Sequence, residues 1–139
     1  MSCRKLPDRR KSFTWKVRIG GTAVYVTVGL YDDGSPGELF LNIGKGDLKN
    51  WSSDWAVLFS SAIQYGVPLE KLLTKFLLVD TNPQGQVNGH PFITQCTSIV
   101  SFVVRALAIE FLGRMDLADV QPVVINEKVA GVVSTGSGW

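Results

Sequence analysis

A chain of 139 residues, 45% of them hydrophobic and with a formal net charge of +2, has the apolar content for one buried core and the length of a single domain. Two cysteines fit a reducing, cytoplasmic compartment better than a disulfide scaffold, and no apolar run reaches the roughly 18 residues of a membrane span. The charge is uneven. Residues 1–18 hold seven of the 14 basic residues (Arg4, Lys5, Arg9, Arg10, Lys11, Lys16, Arg18) against one acid, Asp8, so this segment is +6 and the remainder −4. Such a basic lead suits phosphate or another polyanion, or is a solvated arm over residues 1–11, and the acidic body speaks against duplex nucleic acid.

From Ser12 the pattern is that of strands. Phe13, Trp15, Val17 and Ile19 alternate with Ser12, Thr14, Lys16 and Arg18, and Gly20-Gly21 supplies the positive φ angles of a tight hairpin. Val24, Val26 and Val28 continue one face, the turn-rich stretch Asp32 to Gly37 follows, and Leu39, Leu41 and Ile43 resume the alternation. The reading is a three-stranded antiparallel meander.

Helical spacing takes over after Asn50. Asn50 or Ser52 is the expected cap of a helix to about Tyr65, with Trp55, Leu58, Phe59 and Ala62 as its core stripe. Gly66 and Pro68 punctuate, and Leu69, Leu72, Leu73 and Phe76 mark a second, short helix. Asp80 to Pro91 is polar and aperiodic, the kind of loop that carries binding residues; its His90 reads as a surface residue with no partner for general-base chemistry. The last helix, from Phe92 or Thr94 to Leu112, is apolar almost all round and ends at Gly113. Ser98, Ser101 and Arg105 form its one polar stripe, and Arg105 needs a partner: an internal carboxylate such as Glu38 or Glu110, a subunit interface, or a ligand phosphate. Val123–Ile125 and Val129–Val133 read as a terminal hairpin. Val123, Val124, Val132, Val133 and Trp139 make self-association plausible, and residues 134–139 read as a flexible tail. The whole is an α+β domain over residues 12–133.

Five blocks stand in one order: Leu6-Pro7-Asp8-Arg9-Arg10, Asp33-Gly34 through Gly37-Glu38-Leu39-Phe40, Gln64-Tyr65-Gly66-Val67-Pro68-Leu69-Glu70, Thr97-Ser98-Ile99 and Leu112-Gly113-Arg114. Together they resemble the TSCPD domain near the C-terminus of adenosylcobalamin-dependent ribonucleotide reductases, over about residues 4–120. One departure is Ser101-Phe102, where that family usually has an acidic residue followed by an aromatic. The resemblance implies a nucleotide-related context. The radical cofactor site, redox cysteines and large barrel of a reductase have no room in this chain. In order and length the elements are also similar to the phage Thoeris anti-defence sponges, which as a family sequester cyclic ADP-ribose isomers or cyclic oligonucleotides without cleaving them.

No paired-carboxylate, Ser-His-Asp, Cys-His, P-loop or metal-ligand pattern is present, so the sequence points away from an enzyme and from a metal or cofactor. The leading expectation is a homo-oligomeric binder of phosphate-bearing nucleotides acting as a sponge for an immune signal, in the host cytoplasm if phage-encoded. Arg18 and Arg105 would clamp phosphates, Phe92 would stack on a base, Asn88 would read polar edges and Ser98 would join them. The alternative is a detached domain that docks on, or regulates, the catalytic subunit of a B12-dependent ribonucleotide reductase.

Overall fold

The computed structural model describes residues 2–44, 46–125 and 128–132, the last two strands by their backbone. β1 (Ser12–Ile19), β2 (Thr22–Leu30) and β3 (Pro36–Asn42) form the expected antiparallel meander. Alternation decides its faces: Val17, Ile19, Val24, Val26, Val28, Leu39 and Leu41 are buried on one side, while Thr14, Lys16, Arg18, Tyr25 and Phe40 stand on the other. The β1–β2 turn needs glycine twice over. Gly20 and Gly21 have φ of 54° and 86°, and a Cβ on Gly20 would run into the carbonyl oxygen of Gln84.

That contact belongs to an extension of the sheet which the polar stretch after Asp80 conceals. β4 (Gly85–Asn88) pairs with the end of β1, and β5 (Gln95–Cys96) pairs with β4, giving the antiparallel order β3-β2-β1-β4-β5. Within β4 only Val87 is buried, so hydrophobic periodicity has nothing to report there. Backbone bonds such as Gly20 N–H to the Gln86 carbonyl, 2.9 Å, carry the pairing.

α1 (Asp47–Gln64) starts a turn earlier than expected, at Gly46 with φ of 82°, and Asp47 places a carboxylate in the first turn. Ser52, read as a cap, is instead inside the helix and buried, its Oγ donating to the Leu48 carbonyl at 2.6 Å. The buried stripe runs through Ser52, Ala56, Phe59 and Ser60, and Leu58 is 68% exposed, against its assignment to the core. Small residues at 52, 56 and 60 let α1 close on the free edge of β3. There Ser60 Oγ accepts from Leu39 N–H (2.8 Å) and donates toward main-chain carbonyls, and Gln64 donates to the Gly37 carbonyl (3.0 Å). The exposed edge is thereby covered by side chains of one helix.

α2 (Leu69–Phe76) buries Leu72 and Leu73 as its spacing predicts. α3 (Ile99–Leu112) is shorter than expected because β5 takes Gln95–Cys96; Cys96 therefore lies in a strand, not at a helix start. Ten of its residues are buried, and eight of them, Phe102 and Leu107 among them, join the valines of the sheet in one core. Gly113, φ 65°, ends it as a left-handed cap. A short 3-10 turn, Met115–Leu117, leads to the expected hairpin of β6 (Pro122–Ile125) and β7 (Lys128–Val132). The architecture is the α+β fold read from the sequence, two main helices and a short one on an antiparallel sheet. The residues invoked for self-association (the side chains of Val123, Val124 and Val132, with Val133 and Trp139) and the tail lie outside the described residues and side chains. Among the described residues no helix is long and apolar enough to cross a membrane.

The N-terminal arm is laid against the domain. Arg4 N–H donates to the Gln64 carbonyl (2.8 Å), Tyr31 Oη donates to the Arg4 carbonyl (2.7 Å), and the Arg4 guanidinium sits 3.7 Å above the Tyr31 ring and pairs with Asp33. Arg10 forms an ion pair with Glu38.

Candidate functional site

Two of the residues expected to bind a ligand are brought together. Arg18 and Asn88 are direct cross-strand partners of β1 and β4, both exposed on the outer sheet face. Arg18 Nη1 donates to the Gly21 carbonyl at 2.7 Å, and Asn88 Oδ1 accepts from Gln86 at 3.3 Å. Two positions back on β1, Lys16 lies opposite Tyr25, and Phe40 lies one row further, opposite Thr27.

The other expected residues are elsewhere. Ser98 is 0% exposed, and its Oγ accepts from Ser101 N–H at 2.9 Å as the N-cap of α3, which corrects its assignment to a ligand site. Ser101 Oγ donates to the Leu77 carbonyl at 2.7 Å. Arg105 meets its partners inside the chain: the Gln95 carbonyl (2.7 Å), the Leu117 carbonyl (2.7 and 3.2 Å) and Asp119 Oδ1 (3.2 Å). The polar stripe of α3 is thus a seam that binds the helix to α2, to β5 and to the segment after the 3-10 turn, and neither Glu38 nor Glu110 is the partner of Arg105. Asp119, which no spacing pattern singles out, is the hub. Its Oδ2 also accepts from Thr94 N–H (2.8 Å) and Gln95 N–H (3.2 Å).

Phe92 is half-buried on the inner side of the sheet with Trp15 and His90, around a cavity of about 60 Å³. The sheet separates it from Arg18 and Asn88. His90 is not a surface residue: it is 4% exposed, its ring stands edge-on to Trp15, Phe92 and Phe102, and its Nδ1 accepts from Phe92 N–H (3.1 Å) and Ile93 N–H (3.2 Å). Burial, reinforced by the charge of Arg105, pushes the imidazole down to about 4. It is a neutral acceptor that shapes the chain before β5.

The outer side of α1 carries Leu58, which its spacing had assigned to the core, together with other large apolar side chains. Trp51, Leu58 and Tyr65 recur every seven residues on one exposed line, flanked by exposed Val57. The heptad spacing was visible; its orientation was masked by the equally good stripe through Phe59.

Among the described residues no cluster of three His, Cys, Asp or Glu side chains is placed to hold a metal. Burial raises the Cys96 thiol above its ordinary value, and Cys3 and Cys96 are both free.

Residues 2–111 match the TSCPD domain model. The chain is 40% identical over 129 residues to the vitamin B12-dependent ribonucleotide reductase of Bradyrhizobium diazoefficiens, covering 91% of this chain and 10% of that protein. Proteins of the same description from Agrobacterium fabrum (40% over 118 residues, 84% of this chain and 9% of the relative) and Rhodopirellula baltica (37% over 114 residues, 81% and 11%) are also similar. The chain thus spans about a tenth of the length of these relatives. No solved structure matches it significantly. A family model that covers most of the chain, on a fold with the meander and helices its motifs imply, places the protein in the TSCPD domain family.

Proposed function

We propose that the chain serves a B12-dependent ribonucleotide reductase as a non-catalytic docking module, seated on the catalytic body through the outer stripe of α1. The observation that carries this reading is the share of the relatives it matches: nearly the whole chain corresponds to about a tenth of each reductase, so in those proteins the same domain adjoins a far larger body. Trp51, Val57, Leu58 and Tyr65 supply the apolar surface for that contact. A line of large apolar side chains in water is costly to maintain without a partner to cover it. The names of the relatives speak for the reductase rather than for a sponge that sequesters cyclic nucleotides.

The test is co-elution in size-exclusion chromatography with a B12-dependent reductase lacking its own TSCPD region. The reading expects a complex with the unaltered chain and none with Leu58→Asp, whose fold should persist because the position is exposed. Self-association of the chain alone that Leu58→Asp abolishes, with no complex with the body, would assign the stripe to a second copy instead.

A further inference from the structure

The outer face of the meander is open along three strands, and its side chains follow a pattern that the docking stripe of α1 does not share. Two aromatic rings stand out of it, Tyr25 at 40% and Phe40 at 55% exposure. They are diagonal neighbours on adjacent strands, since Tyr25 pairs with Asn42 and Phe40 with Thr27; such neighbours are spaced roughly 7–8 Å apart. The surroundings are polar rather than apolar. Thr14 and Thr27 share a hydroxyl hydrogen bond of 2.8 Å, and Asn42 and Lys16 flank Tyr25, with Lys16 Nζ 5.8 Å from the ring centroid.

The charge on this face is of one sign. Lys16 and Arg18 lie two residues apart on β1, about 7 Å along the strand, and among the described residues neither is in an ion pair. The one carboxylate on this face of the three strands, Glu38, is buried against Arg10. Rings without a contiguous apolar patch make a poor protein interface but a good stacking platform, since every base presents a π face and needs only an aromatic beneath it. Unpaired cations beside the rings match the phosphates that come with the bases.

We propose that the outer face of β1, β2 and β3 binds single-stranded nucleic acid. Two bases stack on Tyr25 and Phe40, the backbone passes Lys16 and Arg18, and Asn88, opposite Arg18 on β4, reaches a base edge. A duplex is excluded because its bases are already stacked and paired. The proposal is independent of reductase docking, which uses α1.

The test is fluorescence anisotropy of the whole chain with a labelled short oligothymidylate and with a mixed-sequence RNA of the same length. Unlabelled duplex and mononucleotides serve as competitors. Both single strands are expected to bind, and Tyr25→Ala and Phe40→Ala are each expected to weaken binding by about fivefold to a hundredfold. Changing Lys16 and Arg18 together to Gln should lower the slope of log affinity against log salt by about 1.4. Circular dichroism checks that these exposed substitutions leave the fold intact. Absence of binding at about 50 mM salt, aromatic variants that bind like the unaltered chain, or equal competition by duplex would each overturn the proposal. Displacement by mononucleotides as effective as by the oligonucleotide would overturn it in favour of a free nucleotide as occupant.

Discussion

Acid should destabilise this protein through His90. The imidazole is enclosed by Trp15, Phe92 and Phe102, and its Nδ1 lone pair is the acceptor for two backbone N–H groups, so a proton there would both charge a buried ring and remove two hydrogen bonds. Below the ordinary histidine value of 6.5 the unfolded chain takes up a proton that the folded chain refuses until about pH 4. Stability therefore falls as pH drops through that window and levels off beneath it. At about 1.4 kcal/mol per pH unit the loss reaches roughly 3 kcal/mol across the window, a large share of the stability of an ordinary domain. Carboxylates act lower: Asp33, held down to about 2 by hydrogen bonds from the Ser35 hydroxyl and N–H and from Arg4, gives stability that is lost only below its ordinary value of 3.8. Urea unfolding at a series of pH values between 7 and 4.5 reads the slope. The comparison is His90→Asn, whose amide oxygen can replace Nδ1 as acceptor but does not titrate. The unaltered protein should lose about 2–3 kcal/mol over that range, while the variant, less stable at pH 7 for want of the ring, should vary far less. Equal slopes for the two proteins, or an NMR titration of His90 centred near 6.5, would refute the assignment.

Two further substitutions probe the seams around the core. Ser60→Ala should cost about 1–3 kcal/mol in chemical unfolding, because the buried Leu39 N–H on the β3 edge loses its acceptor; an unchanged midpoint would mean that another group covers the edge. Arg105→Met should cost about 1–3 kcal/mol by taking the donor from the carbonyls of Gln95 and Leu117 and from Asp119 Oδ1. If it leaves stability unchanged, the guanidinium is not the anchor described.

The meander was legible because each of its strands has one dry and one wet face, which writes a period of two into the residues from Phe13 to Ile43. β4 and β5 were not, since their partners are found through backbone groups and a single valine. The helices were legible as elements but not always as orientations: α1 carries two competing stripes, and only packing against β3 shows that Ser52, Ala56 and Ser60 point inward while Leu58 points out. Of the expected ligand residues, Arg18 and Asn88 meet because β4 returns to β1, a long-range pairing. Ser98 and Arg105 have the polarity of ligand groups but serve a helix cap and a seam centred on Asp119, 14 residues beyond Arg105.

The role proposed for this TSCPD domain is tested most directly by sedimentation velocity of the chain titrated against the catalytic body of the B12-dependent reductase from the organism that encodes it. The account predicts a single heavier boundary with the unaltered chain and with Phe40→Ala, and separate boundaries with Leu58→Asp. Separate boundaries for the unaltered chain at up to about 100 µM, a concentration that captures even weak specific contacts, or a complex indifferent to Leu58→Asp, would contradict it.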